Sequence, residues 1–169
     1  MTLRFADIPT AEVTAHIDAP PAAVWELVTD LDVLARHSDE FQGGEWLDSS
    51  APRGVGARFR GHNRNPWAEW DVTCTVTDWE PERAFGWVVE DPAAPAAVWR
   101  FTLDPDDTGT RLHYWARMGP GPSGVTAFIH EHPDDEEGIV DRRLAAWHAN
   151  MEATVTGIRG MAEGVVGAG

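Results

Sequence analysis

The chain has 169 residues, and its 13 basic residues, all arginine, stand against 28 acidic ones for a formal net charge of −15. That charge repels phosphate backbones and anionic membrane surfaces and sets aside a general nucleic-acid binder, while the absence of lysine removes Schiff-base and lysine-base chemistry. With 43% hydrophobic residues, nine tryptophans, one tyrosine and one cysteine, the chain is an ordered one, and at this length about 70% of the unfolded surface can be buried in a single domain spanning 1–169.

Residues 1–13 (MTLRFADIPTAEV) lack the basic stretch and long apolar run of a signal peptide, and no apolar window approaches the ~18 residues of a membrane span. The expectation is a soluble cytoplasmic protein without membrane insertion, with flexible ends at 1–9 and 164–169. Cys74 has no partner for a disulfide, and cysteine-based metal clusters are excluded.

The first pattern is a half-buried strand over 11–18, where Val13, Ala15 and Ile17 alternate with Glu12, Thr14 and His16. Pro20 and Pro21 end it and pre-set a helix over 22–29, and Asp30 caps a second short helix through Leu34 and Ala35. Strands are then predicted over 41–47, 55–63, 67–79, 84–90, 97–103 and 110–118, each bounded by Gly, Pro, Asp or Ser turns. In the long strand over 67–79, Trp70, Val72, Cys74 and Val76 share one face. Phe85 and Trp87, Trp99 and Phe101, and Leu112 and Tyr114 phase together in the later strands. Residues 119–124, GPGPSG, break the pattern, and 119–137 is predicted as a loop or lid. From about Glu136 the apolar residues Val140, Leu144, Trp147, Met151, Val155, Ile158 and Met161 step by three and four, which is one long helix ended by the tail from Gly164. Gly157 and Gly160 within it cost about 1 kcal/mol each against alanine, so its end is expected to fray.

Six consecutive strands with short connections form an antiparallel meander, because parallel pairing needs crossovers of a dozen or more residues. Each strand has one apolar face, and only the C-terminal helix is long enough to cover the resulting sheet. The predicted fold is α+β: a curved seven-stranded antiparallel sheet around a long C-terminal helix, with two short helices after the first strand.

The residues also resemble the START-like (SRPBCC) superfamily, the helix-grip or Bet v 1-like fold, in its polyketide cyclase/dehydrase-type branch of bacteria. The resemblance rests on Ile17-Asp18-Ala19-Pro20 with Ala23-Val24-Trp25, His37-Ser38-Asp39-Glu40, Glu45-Trp46-Leu47, residues 54–61 (GVGARFRG), Thr73-Cys74-Thr75-Val76, Trp79-Glu80-Pro81, and Trp99-Arg100-Phe101 with Gly109-Thr110-Arg111-Leu112. It implies a cavity between sheet and helix, opening near the short helices. The strand phases would line it with Phe59, Trp70, Val72, Cys74, Phe85, Trp87, Trp99 and Phe101, under Leu144, Trp147 and Met151. Large aromatics on both walls offer flat surfaces to an aromatic ligand, and a buried indole N–H needs a partner that a ligand carbonyl would supply.

Tyr114, the sole tyrosine, is the first candidate for chemistry, as donor or general acid toward a carbonyl. His37 and Glu40, at the expected mouth, are a candidate proton-transfer pair. Arg58, Arg60 and His62 form an exposed basic stripe near Asp71 if Phe59 points inward; a bulge that reversed the phase would send both arginines into the cavity. His130 and His132 lie among carboxylates, but the spacing of a zinc protease is absent, and acids at a helix start complement its dipole. No metal and no cofactor are assigned. The function expected is binding of a hydrophobic or aromatic small molecule, either by a cyclase/dehydrase acting on a polyketone-type intermediate, or by a non-catalytic carrier, or in a domain with a filled pocket that binds a partner. The chain would act as a monomer or homodimer.

Overall fold

In the computed structural model, which describes residues 2–164, the chain runs β1 (Thr10–Ile17), α1 (Pro21–Val28), α2 (Leu31–Arg36), β2 (Phe41–Trp46), β3 (Arg58–Arg64), β4 (Glu69–Glu80), β5 (Ala84–Val89), β6 (Ala97–Pro105), β7 (Thr110–Met118), α3 (Gly124–Glu131) and α4 (Glu136–Ala162). The seven strands form one antiparallel sheet in the order β1-β7-β6-β5-β4-β3-β2, so the meander closes by returning β1 to the edge of β7. This is the expected α+β helix-grip architecture, with α4 packed along β1 and against α1. No helix among the described residues is long and apolar enough to cross a membrane.

Local chemistry sets the helix starts. Pro21 occupies the first turn of α1, where its missing N–H costs nothing. The Asp30 carboxylate accepts from the backbone N–H groups of Asp32 and Val33 at 2.9 and 3.4 Å and so starts α2. The segment 119–137, expected to be a loop, holds an additional helix. Ser123 starts α3 by accepting from the Val125 N–H at 3.2 Å, while the Thr126 hydroxyl accepts from the Ser123 N–H at 2.8 Å. That reciprocal cap overrides the breaker run just before it.

Two strand starts move. Val55 is 69% exposed and precedes β3, which begins at Arg58. Trp67 is 88% exposed in the turn before β4, where the Asn65 side chain accepts from the N–H groups of Trp67 and Ala68, both at 2.9 Å. The stretch expected as a loose N-terminal end carries a 3-10 turn at Phe5–Asp7 beside α4, and the Phe5 N–H donates to Glu136 at 3.1 Å. The tail expected to be flexible falls, from residue 165 on, outside the described residues.

The core lies between the sheet and α4. Phe85, Phe101, Leu103 and Leu112 of the sheet and Val140 and Ile158 of α4 are completely buried, each worth about 2 kcal/mol relative to exposure. A second set of contacts fastens α4 to the turn after α2. The Asp39 N–H donates to Asn150 at 2.9 Å, the Thr154 hydroxyl reaches the His37 carbonyl at 3.5 Å, and the His37 ring lies on Gly157. A Cβ at position 157 would overlap the imidazole, which accounts for a glycine inside a helix that runs to Ala162.

Outside the core, His16 joins the end of β1 to the β6–β7 turn. Its Nδ1 lies 2.8 Å from Asp106 and its Nε2 2.8 Å from Asp18. Hydrogen bonds first to Asp18 and then to Asp106 raise its pKa above 6.5, and Asp106 is held below its ordinary value chiefly by the Thr108 N–H.

Two outcomes are expected from these contacts. Gly157→Ala should destabilise the protein by about 1–3 kcal/mol in urea unfolding, although helix propensity alone favours alanine; in a His37→Ala background it should become neutral or stabilising, and an equal loss in both backgrounds would refute the contact. A raised histidine pKa stabilises fully below the unfolded value and less as pH rises through the folded one. The loss of thermal midpoint in His16→Asn should therefore be larger at about pH 5.5 than at about pH 8.5.

Candidate functional site

The sheet phases bring the aromatic side chains into one continuous array beneath α4. Phe101 and Tyr114 stack with centroids 3.9 Å apart and planes at 13°, Trp99 lies 5.7 Å from Tyr114 and 4.7 Å from Trp147, and Trp87 lies 6.5 Å from Trp99. Toward the other end, Trp87 touches Phe85 and Phe59, and Phe59 touches Trp46. Trp46 and Phe85 both meet Trp79, which packs on Trp25 of α1 at 5.2 Å.

The structure brings most of the residues expected to line a cavity together as a packed core. The clefts seen among the described residues, beside Trp46 and between Arg4 and Asp141, lie at the surface outside it. Phe59, Cys74, Phe85, Trp87, Phe101, Tyr114, Trp147 and Met151 are buried in the core, with Val72, Trp99 and Leu144 partly buried against it. Trp70 is half-buried at the edge, beneath Arg143. Arg58 and Arg60 are exposed, and His62 pairs with Asp71 at 2.6 Å, which is the outward-facing alternative for that stripe. His132 packs its ring on Phe128 at the end of α3, 4.6 Å between centroids.

His37 and Glu40, three residues apart in sequence, face different partners. The His37 Nε2 lies 3.3 Å from the Met161 sulfur, and burial lowers its pKa below 6.5, with the neighbouring Arg36 adding to the shift. Glu40 receives two hydrogen bonds from Arg143, one from each terminal nitrogen, both at 2.6 Å. The pair sits at the rim of the array, its side chains only 22% and 18% exposed. The Arg143 guanidinium lies 5.8 Å from the Trp147 ring and 6.0 Å from the Trp70 ring, over both aromatic faces.

The Ser38 hydroxyl accepts from the N–H groups of Glu40 and Phe41 and holds the Glu40 backbone in place. Arg143 is a functional candidate that apolar periodicity passes over, because a cation next to Leu144 reads as the solvated edge of the helix.

Trp46 and Trp79 join the array because of two bulges, one in β2 between Phe41 and Gly43 and one in β4 between Val76 and Asp78. Each bulge shifts the phase by one residue, so Trp46 pairs beside Phe59 and Trp79 beside Phe85. Beside Trp46 a surface cleft of about 350 Å³ opens, lined also by Arg53, Val55, Ala57 and Arg58, with the Arg53 guanidinium 4.7 Å above the Trp46 ring.

Two interior groups are electrically silent. Burial raises the pKa of the Tyr114 phenol and, with a smaller push from Glu90, that of the Cys74 thiol. Tyr114 is thus a neutral hydrogen-bond donor at ordinary pH, and Cys74 is a poor nucleophile. Another interior group is unsatisfied: the Trp147 Nε1–H is buried and, among the described residues, has no hydrogen-bond partner. A buried donor left unpaired costs about 1–3 kcal/mol.

Residues 9–152 match a family model described as polyketide cyclase / dehydrase and lipid transport. Among solved structures, a polyketide-cyclase-like protein of Corynebacterium glutamicum is similar over 99% of this chain and 97% of its own, at 29% identity and a TM-score of 0.68. An aromatase/cyclase of Streptomyces sp. R1128 has the same fold at 18% identity, over 92% of this chain and 94% of its own, with a TM-score of 0.68. A protein of Thermus thermophilus shares it at 17% identity over 95% and 99% of the two chains, with a TM-score of 0.64. No curated protein matches in sequence.

Glu40→Ala should cost about 1–3 kcal/mol, since it leaves Arg143 half-desolvated and unpaired. A double-mutant cycle with Arg143→Ala should show coupling of about 1 kcal/mol or more in chemical unfolding, and additive losses would mean the pair is an ordinary surface contact.

Proposed function

We propose, because the chain belongs to the polyketide cyclase/dehydrase and lipid transport family, that it binds a flat, carbonyl-bearing hydrophobic molecule between the sheet and α4. The observation that carries this reading is the buried, unpartnered Trp147 Nε1–H set against Trp99 within the aromatic array. Faces of tryptophan, phenylalanine and tyrosine supply dispersion and burial for a planar molecule, and they set no polar requirement along most of its length. The indole N–H sets one: an acceptor oxygen at that end satisfies a donor that otherwise remains without a bond. A ligand enters as the rings re-pack around it, with the half-buried Trp99 and Trp70 at the margin.

Tyr114 favours a second reading, that of a cyclase/dehydrase acting on a polyketone-type intermediate. Its phenol, kept neutral by burial and stacked on Phe101, would donate to a ketone oxygen and stabilise the enol, while the aromatic walls fold the chain of carbonyls into a reactive conformer. The aromatase/cyclase fold likeness supports this reading at the level of architecture. Tyr114→Phe keeps the ring and removes the donor, and so separates turnover from binding.

The binding reading is tested with 9-fluorenone and fluorene, which share a planar skeleton and differ by one carbonyl. Quenching of tryptophan emission should show fluorenone binding about five- to tenfold more tightly than fluorene, the worth of one buried hydrogen bond. In Trp147→Phe that preference should vanish while fluorene binding persists. Failure of both molecules to bind at their solubility limit would sink the reading, and native mass spectrometry of the protein as purified would show whether a small molecule is retained.

A further inference from the structure

Resting on that reading, we propose that the ligand is acidic and that Arg143 anchors its anionic oxygen, exchanging Glu40 for the ligand. The bidentate bond between Arg143 and Glu40 has the fork geometry with which a guanidinium receives any carboxylate. Glu40 thus fills the place that an acidic group at one end of a flat molecule would take.

Three features favour exchange over a fixed strut. First, the turn that carries Glu40 is already fastened to α4 by Asn150, by Thr154 and by the seat of His37 on Gly157. Holding the turn does not require a further pair whose charges are both largely removed from water. Second, the guanidinium lies within 6.0 Å of both the Trp70 and Trp147 ring centroids, so an anion bonded to it has two aromatic faces close by for the rest of the molecule. Third, Trp147 follows Arg143 by one helical turn, which sets its unpartnered N–H on the same side of α4 as the cation. A rigid molecule bearing an anionic oxygen and a ring carbonyl presents an acceptor to each. When it binds, the Arg143–Glu40 hydrogen bonds break, equivalent bonds form to the ligand, and Glu40 turns toward the water it already partly meets.

The test uses two fluorescent probes with one skeleton, the anionic 8-anilinonaphthalene-1-sulfonate and the uncharged N-phenyl-1-naphthylamine, titrated against wild type, Glu40→Gln, Arg143→Met and, as a control for overall charge, Arg58→Met. Glu40→Gln keeps the shape of the resident group and removes its charge, so the anionic probe should bind about tenfold more tightly than to wild type. Arg143→Met should weaken it about tenfold, Arg58→Met should leave it within about twofold, and the uncharged probe should bind all four alike. Equal binding of the anionic probe to all four proteins, with the uncharged probe still bound, overturns the Arg143 assignment and leaves the binding reading standing. A loss in Arg58→Met equal to that in Arg143→Met also overturns it, since the effect would then be general charge. If neither probe binds any of the proteins, the binding reading falls and takes this inference with it. Should Arg143→Met not fold, the gain in Glu40→Gln decides alone.

Discussion

Everything in this molecule depends on how α4 closes over a sheet whose inner face is largely aromatic. An antiparallel sheet can leave one face in water, but a face made of Phe59, Phe85, Trp87, Trp99, Phe101 and Tyr114 cannot be left so. α4 spans it, and its register along the sheet is set by a polar and steric seam as well as by apolar contact. Asn150, Thr154 and Gly157 meet the turn after α2, each one helical turn from the last. Sliding the helix would put a Cβ where the His37 ring lies and would leave the Asp39 N–H unbonded. The seam therefore ties the depth of the helix to the position of the turn, and the position of Glu40 to Arg143.

That arrangement explains why polar chemistry is found at the edges of the array and is sparse within it. In the interior, burial raises the pKa values of Tyr114 and Cys74 and keeps both neutral, so they can donate hydrogen bonds and do little else. Charge enters where the seam meets the rim, as the Arg143–Glu40 pair. On the proposed reading, such a site would select first by shape and flatness, then by the few donors whose positions the fold has set.

The fold is legible because alternation in six strands and the three-and-four spacing from Val140 to Met161 both survive inspection of a single chain. The same alternation places Phe59, Cys74, Trp87 and Phe101 on the inner face. It fails for Trp46 and Trp79, since one extra residue in a strand reverses the phase of every residue after it, and a bulge leaves no mark in the hydrophobic pattern. It fails for α3 because the Gly-Pro run hides a cap that only two hydrogen bonds between Ser123 and Thr126 reveal. The pairing of His37 with Glu40 rests on their closeness in sequence alone. The helix separates them, drawing one side chain toward Met161 and the other toward Arg143, more than a hundred residues away along the chain.

The charge of −15 acquires a different meaning once the arginines are placed. Arg60, Arg64, Arg100 and Arg142 lie in the open, within 4.0 Å of Glu45, Glu69, Asp78 and Asp135, where screened pairs contribute little to stability. The surplus of carboxylates around them gives the surface a negative field that works against an approaching anion. The surface field is screened over a Debye length of about 8 Å at physiological ionic strength, whereas the Arg143 bond acts at hydrogen-bond range beside the Trp70 and Trp147 rings. On the proposed reading, recognition of an anion would therefore be short-ranged. The field slows the encounter without weakening the local bond, and added salt relieves the first while leaving most of the second. Steering by overall charge, common where surface and ligand are opposite in sign, has no part in it.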